Sequence, residues 1–120
     1  MKKHVVVIED DPDLLDFLVI SLEEEGYRVT GLPQLESVEA LVDLRASAFV
    51  IDEKLPGTSG HIICIILKSK PETQHLPVIL ISADESLKHR ASLCEADGYL
   101  YKPFQDYREL QYLLDKVLVA

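Results

Sequence analysis

Short apolar runs alternate with amphipathic stretches along the chain, and this alternation predicts the fold class. The runs cover residues 4–8, 27–32, 48–51, 77–81 and 98–101. Apolar runs of this length are typical of parallel strands that are buried on both faces of a sheet. Between the runs, apolar residues recur at helical spacing, as at Leu14, Leu18 and Leu22 in the first stretch. The chain is therefore expected to alternate strands with helices.

Turn and cap residues set the bounds of the predicted helices. Asp11 suits the N-cap of the first helix and Pro12 its first position, while Gly26 ends it. The other helices are predicted after Pro33, over residues 60–70, around residues 87–94 and over residues 107–118. Each lies between two apolar runs or after the last one, as a crossover helix does.

Five strands and five helices in this order imply an α/β fold with a doubly wound, five-stranded parallel sheet. We expect the flavodoxin-like strand order 2-1-3-4-5, in which strands one and three flank the point where the order reverses. Residues 1–120 fit a single domain, because the length suits one core and no linker, repeat or low-complexity segment interrupts the pattern.

Charge and hydrophobicity narrow the classes of partner. The chain has 21 acidic and 12 basic residues, a formal net charge of -9. Its Lys and Arg residues form no stripe that could contact the phosphates of a nucleic acid, so direct nucleic-acid binding is not expected. The longest apolar run, residues 62–67, is too short to span a membrane, and residues 5–8 are too few for a signal-peptide core. We expect a cytoplasmic protein without membrane contact, in which Cys64 and Cys94 are buried thiols.

Charged and hydroxyl side chains stand directly after four of the predicted strands. Glu9 and Asp10 follow the first strand, Asp52 the third, Ser82 the fourth and Lys102 the fifth. In a parallel sheet these positions share one edge, where doubly wound folds bind their ligands. Singly, each residue has an ordinary explanation as a turn former, a helix cap or a solvated lysine. Together they would crowd carboxylates at one edge, which is unfavourable unless a cation offsets their charge.

A hard cation and a phosphoryl group suit such a set of residues. Mg²⁺ prefers oxygen ligands and takes one or two protein carboxylates, here from Asp10 and Asp52, alongside phosphate oxygens. With the metal and Lys102 neutralising an incoming phosphoryl group, a carboxylate can act as nucleophile and form an aspartyl phosphate. Ser82 could then donate a hydrogen bond to that group.

The motifs at the strand ends carry a family resemblance. They are residues 5–12, 49–52, 55–57 with Gly60, 78–83 and 98–104. In these motifs the chain resembles the receiver domain of a two-component response regulator, over essentially its whole length. The resemblance implies a phosphorylation-activated signalling switch rather than an enzyme. Such a domain accepts a phosphoryl group with Mg²⁺ and assists its own phosphorylation and dephosphorylation.

The resemblance also implies a role for each site residue. Asp52 would be the phosphoacceptor, and Glu9 and Asp10 the acidic pair that holds Mg²⁺ together with Asp52. The backbone carbonyl of Lys54 would be a further metal ligand. Lys102 would supply the counter-charge to the phosphoryl group.

Two further residues would respond to phosphorylation in such a family member. Ser82 would be the switch hydroxyl that moves toward the phosphate, and Tyr99 the aromatic residue whose burial changes with it. The implied partners are a histidine kinase, or a phosphotransfer protein, as donor and an unidentified downstream effector or output domain. A phosphorylation-dependent homodimer through residues 87–118 is a further expectation.

The neighbours of Asp52 are less standard for this family. Glu53 and Lys54 place opposite charges directly after it. In relatives, the positions of Lys54 and Asp84 tune the rate of dephosphorylation, so the lifetime of the phosphoryl group is left open. We expect His61 to be a surface residue of the third helix rather than a ligand.

Two other functions share parts of this pattern. An aspartate-nucleophile, Mg²⁺-dependent phosphohydrolase resembling the haloacid dehalogenases would need a second aspartate where Lys54 stands, and usually a cap domain. A flavodoxin-like binder of FMN would place a neutral loop where Glu9, Asp10 and Asp11 would repel the phosphate. The signalling switch is therefore the leading hypothesis, with the phosphohydrolase as its alternative.

Overall fold

A computed structural model describes residues 2–106 and 108–118 of the chain. Its strands are β1 (His4–Ile8), β2 (Arg28–Leu32), β3 (Ala48–Asp52), β4 (Lys54–Leu55), β5 (Thr58–Ser59), β6 (Val78–Ser82) and β7 (Gly98–Tyr101). Five of them form one parallel sheet in the order β2-β1-β3-β6-β7. Numbered among themselves, these strands run 2-1-3-4-5, so the predicted doubly wound, flavodoxin-like order is confirmed.

The described residues contain the five predicted helices, of which four connect strands of the parallel sheet and the fifth follows β7. They are α1 (Pro12–Glu24), α2 (Val38–Asp43), α3 (Gly60–Ser69), α4 (Leu87–Leu93) and α5 (Arg108–Val117). Asp11 caps α1, since its side chain accepts hydrogen bonds from the N–H groups of Asp13 and Leu14 at 3.0 and 3.3 Å. Tyr107, which the sequence pattern assigns to the last helix, lies outside the described residues. No helix in the described part of the chain is long and apolar enough to cross a membrane.

The sheet separates two apolar cores, and the side chains of β3 alternate between them. Phe49 and Ile51 pack in one core with α2, α3 and α4, whereas Ala48 and Val50 pack in the other with α1 and α5. Every residue of β1, β3 and β6 is buried, as expected of parallel strands covered on both faces. The two cysteines are buried free thiols, as predicted.

The segment after β3 folds back in a small antiparallel hairpin that the sequence pattern did not predict as strands. Lys54 pairs with Ser59 and Leu55 with Thr58. The predicted turn lies between them, where Gly57 has a φ of 76°, a left-handed conformation that glycine adopts without strain. Strands of two residues are too short to produce a detectable alternation. The hairpin carries the chain from the phosphoacceptor candidate Asp52 directly into α3.

Candidate functional site

Three carboxylates meet at the carboxyl edge of the two central strands. Glu9 and Asp10 follow β1 and Asp52 ends β3, and these strands pair in register at Ile8 and Ile51. One carboxylate oxygen from each acidic residue lies within 4.8 Å of the other two. Asp10 is exposed, while Glu9 and Asp52 are 0% and 4% exposed. The structure therefore brings the predicted acidic residues together at one point with an opening to solvent.

The ammonium group of Lys102 is shared between two of these carboxylates. Its Nζ lies 2.6 Å from Oε1 of Glu9 and 3.2 Å from Oδ2 of Asp52. The backbone N–H of Lys102 donates to the carbonyl of Ser82 at 2.9 Å, which fixes the residue just past β7. Among the described residues, Lys102 supplies the one ammonium that contacts this group of three carboxylates. The site therefore keeps an excess of negative charge that a divalent cation would neutralise.

The carboxyl group of Glu9 has a strongly raised pKa. Burial raises the pKa of its carboxyl to about 7 from the ordinary 4.5, with Asp52 adding to the rise and Lys102 opposing it. Burial by itself would lower the pKa of Lys102, but Glu9 and Asp52 outweigh that effect and raise it. Within the described part of the chain, Oε1 of Glu9 has no hydrogen bond of good geometry despite its proximity to Lys102. A buried oxygen of this kind, beside two more carboxylates, fits a metal ligand set.

Asp52 is held by its own loop as well as by Lys102. Its Oδ1 accepts a hydrogen bond from the backbone N–H of Lys54 at 3.2 Å. Gly60, at the start of α3, packs against the backbone of Asp52 so closely that a Cβ there would lie 2.5 Å from the Asp52 carbonyl oxygen. The same glycine donates its N–H to the carbonyl of Glu53 at 2.8 Å. The position of the Asp52 backbone therefore depends on the absence of a side chain at residue 60.

Substituting Gly60 by alanine is expected to destabilise the fold, because both the carbonyl oxygen of Asp52 and the Cα of Glu53 would have to move. We expect the free energy of unfolding to fall by about 3 kcal/mol, measured by urea denaturation. Gly98→Ala is the matched control, since a Cβ there would meet its nearest atoms at an ordinary 3.6 Å. Equal stability of the two variants would contradict this account of Gly60.

The two predicted switch residues lie in different parts of the sheet, Ser82 at the end of β6 and Tyr99 within β7. Ser82, at the end of β6 and 2% exposed, lies at the same sheet edge as Asp52, and its Oγ accepts a hydrogen bond from the N–H of Asp84 at 3.1 Å. Tyr99 is half-buried within β7 and contacts Tyr101 edge-to-face, with ring centroids 5.9 Å apart. Their response to phosphorylation stays a prediction, as does the part of the Lys54 carbonyl in metal binding.

An ion pair spans the mouth of the site between Lys54, two residues after Asp52, and Asp84, two residues after Ser82. Nζ of Lys54 lies 3.1 Å from Oδ2 of Asp84. Hydrogen bonds from Ser86, followed by the contact with Lys54, lower the pKa of Asp84. The pair joins the loop after β3 to the loop after β6, and both of its side chains are partly or largely exposed.

Sequence reasoning missed a second polar cluster beside Asp52. Glu53 is 1% exposed, and its carboxylate accepts from the N–H of His61 at 2.8 Å and from Nη1 of Arg90 at 2.9 Å. Nδ1 of His61 lies 2.6 Å from the same carboxylate, and the His61 side chain is 17% exposed. His61 lies in α3, as expected, but its ring is mostly buried against Glu53 and is not a solvated surface side chain. The alternation of β3 offered a signal, because it turns Glu53 toward α3 and α4, away from the side of Asp52.

The family of the chain follows from its match to a protein-family model. The model for the response regulator receiver domain matches residues 5–114 of the chain. The chain belongs to this receiver domain family. Among curated relatives of this receiver domain, the phosphate regulon transcriptional regulatory protein PhoB of Rhizobium meliloti is 35% identical over 107 residues, which are 87% of this chain and 47% of PhoB. The receiver domain spans about half the length of the curated relatives it matches.

Solved structures show the same architecture. The response regulator TrrA of Thermotoga maritima, in complex with Mg²⁺-BeF, has a TM-score of 0.80 and 28% identity, covering 97% of this receiver domain and 99% of TrrA. The chemotaxis protein CheY4 of Vibrio cholerae has a TM-score of 0.88 with 19% identity, covering 98% and 100% of the two chains. The second likeness shows the shared fold alone, because its sequence identity is low.

Proposed function

We propose that this receiver domain is the phosphorylation-activated switch of a two-component system. In this proposal, Asp52 accepts a phosphoryl group from the phosphohistidine of a histidine kinase or phosphotransfer protein. The observation that carries it is the buried Asp52 carboxylate, which lies within 4.8 Å of carboxylate oxygens of Glu9 and Asp10 and 3.2 Å from the ammonium of Lys102. A nucleophile, a metal ligand set and a counter-charge are the parts that phosphoryl transfer requires.

Mg²⁺ is the proposed cofactor, held by Glu9, Asp10 and Asp52 with the backbone carbonyl of Lys54. Carboxylate and carbonyl oxygens are the donors that this ion prefers. When bound, the ion would offset negative charge on the phosphoryl oxygens. The Mg²⁺-BeF complex of TrrA supports the choice of metal.

The chain's own residues have distinct parts in the transfer. An oxygen of Asp52 attacks the phosphorus, the bond from phosphorus to the donor histidine breaks, and an aspartyl phosphate forms. Lys102, which is already 3.2 Å from Asp52, pairs with the transferred group. The hydroxyl of Ser82 donates a hydrogen bond to a phosphoryl oxygen of that group, and the burial of the Tyr99 side chain changes in response. The domain thereby assists its own phosphorylation and, with Lys54 and Asp84 at the mouth of the site, sets its own dephosphorylation rate.

The output of the switch is a downstream effector or output domain. A homodimer formed through residues 87–118 on phosphorylation is the proposed route by which the change reaches it. PhoB, for example, is a transcriptional regulatory protein about twice as long as this chain. The expected lack of direct nucleic-acid contact by the receiver domain and its cytoplasmic location stay predictions.

Phosphoryl uptake from acetyl phosphate tests this function. With Mg²⁺ present, we expect the intact mass to rise by one phosphoryl group and Asp52→Asn to abolish the rise. Asp16→Asn is the matched control, because Asp16 is an exposed aspartate of α1. No mass gain in the unaltered chain, or a gain that survives Asp52→Asn, would refute the proposal. Steady hydrolysis of a chromogenic phosphate monoester would instead favour the phosphohydrolase alternative.

A further inference from the structure

A carboxylate with no part in the proposed transfer is buried directly beside the phosphoacceptor candidate. The side chain of Glu53 is 0% exposed, so its carboxyl oxygens depend on neighbouring donors for their hydrogen bonds. His61 at the start of α3 and Arg90 on α4 supply these donors. Glu53 therefore ties the loop after β3 to two helices on the far side of the sheet from α1.

Arg90 extends this contact to the switch hydroxyl. Its Nε donates to Oγ of Ser86 at 2.9 Å, and Oγ of Ser86 donates to Oδ1 of Asp84 at 2.8 Å. The N–H of Asp84 then donates to Oγ of Ser82 at 3.1 Å. A continuous chain of hydrogen bonds thus runs from Glu53 through α4 to Ser82.

We propose that Glu53 is a positioning residue that, through Arg90, holds α4 and the Ser82 hydroxyl in the arrangement of the unphosphorylated chain. This inference rests on the proposed function of Asp52 as phosphoacceptor. Glu53, His61 and Arg90 form this restraint. The restraint opposes the rearrangement that phosphorylation requires.

The connectivity explains why the restraint acts on the reaction and not only on stability. Glu53 is the next residue after Asp52, and its N–H donates to the carbonyl of Ile81 at 2.9 Å, one residue before Ser82. For Ser82 to move toward a phosphoryl group, the segment that starts at Asp84 has to move as well, because the N–H of Asp84 is hydrogen-bonded to Oγ of Ser82. That segment is held by Arg90, and Arg90 is held by Glu53. Weakening the Glu53–Arg90 pair therefore raises the population of the arrangement that accepts the phosphoryl group.

The test compares initial rates of phosphorylation by acetyl phosphate with Mg²⁺, measured by intact mass. We expect Arg90→Met and Glu53→Gln to be phosphorylated roughly 2- to 5-fold faster than the unaltered chain, the factor expected from loss of one partly exposed ion pair. Lys88→Met is the matched control, since it removes the same charge from an exposed position of the same helix. Its rate is expected to be unchanged.

Hydrogen exchange of the metal-free proteins provides an independent readout. The amides of Arg90 and Cys94, bonded to the carbonyls of Ser86 and Arg90, should exchange faster in both variants than in the unaltered chain. Peptides from α5 should exchange as before. Faster exchange in α5 as well would indicate general destabilisation and would overturn the assignment of a local restraint.

The outcomes separate this inference from the function it rests on. Variants that are phosphorylated no faster than the unaltered chain, or more slowly, overturn the restraint and leave the function of Asp52 standing. An unaltered chain that takes up no phosphoryl group overturns both. If Glu53→Gln does not fold, Arg90→Met decides, because the Arg90 side chain is 35% exposed and belongs to neither apolar core.

Discussion

Lys102→Met is expected to slow phosphoryl uptake by Asp52 on the order of 100-fold, the usual effect of removing one group that stabilises charge in a transition state. Lys102 is the ammonium that contacts both Glu9 and Asp52, at 2.6 and 3.2 Å. Methionine keeps the length and the apolar stem but leaves the charge of the incoming group without its partner. Initial rates of intact-mass gain with acetyl phosphate and Mg²⁺ measure the effect.

Two controls separate this loss from indirect causes. Lys116→Met removes the same charge from an exposed position of α5 and should be phosphorylated at the normal rate. Mg²⁺ should still raise the thermal midpoint of Lys102→Met, because the competing cation is gone while the carboxylates remain. A normal phosphorylation rate in Lys102→Met, with the variant folded, would show that this lysine takes no part in the transfer.

The sheet edge could be predicted from the sequence because parallel strands all end at the same side. Once residues 4–8 and 48–51 are recognised as neighbouring strands, Glu9, Asp10 and Asp52 have to approach each other. The structure bears this out with carboxylate oxygens within 4.8 Å. Lys102 followed from the same rule. However, the contact of the Lys102 ammonium with both Glu9 and Asp52 depends on side-chain directions that the strand order does not specify.

The Glu53 cluster was not predictable in the same way. Glu53 and Arg90 are 37 positions apart, and Arg90 lies on α4, a short helix of seven residues. Glu53 directly follows β3, but the alternation along the strand turns its side chain to the opposite face of the sheet from that of Asp52. Their contact depends on the packing of α4 against the sheet through Leu87 and Ala91, which alternation and helical spacing do not describe. Contacts between separate helices are therefore what the sequence pattern leaves undetermined here.

Mg²⁺ is expected to stabilise the chain much more above pH 7 than below it, because of Glu9. The pKa of its carboxyl in the folded chain is raised to about 7 from 4.5, chiefly by burial. At pH values between 4.5 and about 7, Glu9 holds a proton in the metal-free folded chain but has lost it in the unfolded chain. The free energy of unfolding therefore falls as the pH rises through this range. The full fall amounts to about 3 kcal/mol. Bound Mg²⁺ requires the ionised carboxylate and removes this penalty.

Thermal unfolding with and without Mg²⁺, at about pH 5.5 and about pH 8, measures this linkage. The increase in midpoint caused by Mg²⁺ should be clearly larger at the higher pH. In Glu9→Gln, whose amide does not titrate, the metal-free chain should lose less stability between the two pH values than the unaltered chain does. Glu24→Gln, at an exposed position of α1, should behave like the unaltered chain. If Glu9→Gln and Glu24→Gln responded alike to pH and to Mg²⁺, the buried carboxylate of Glu9 would have no part in metal binding.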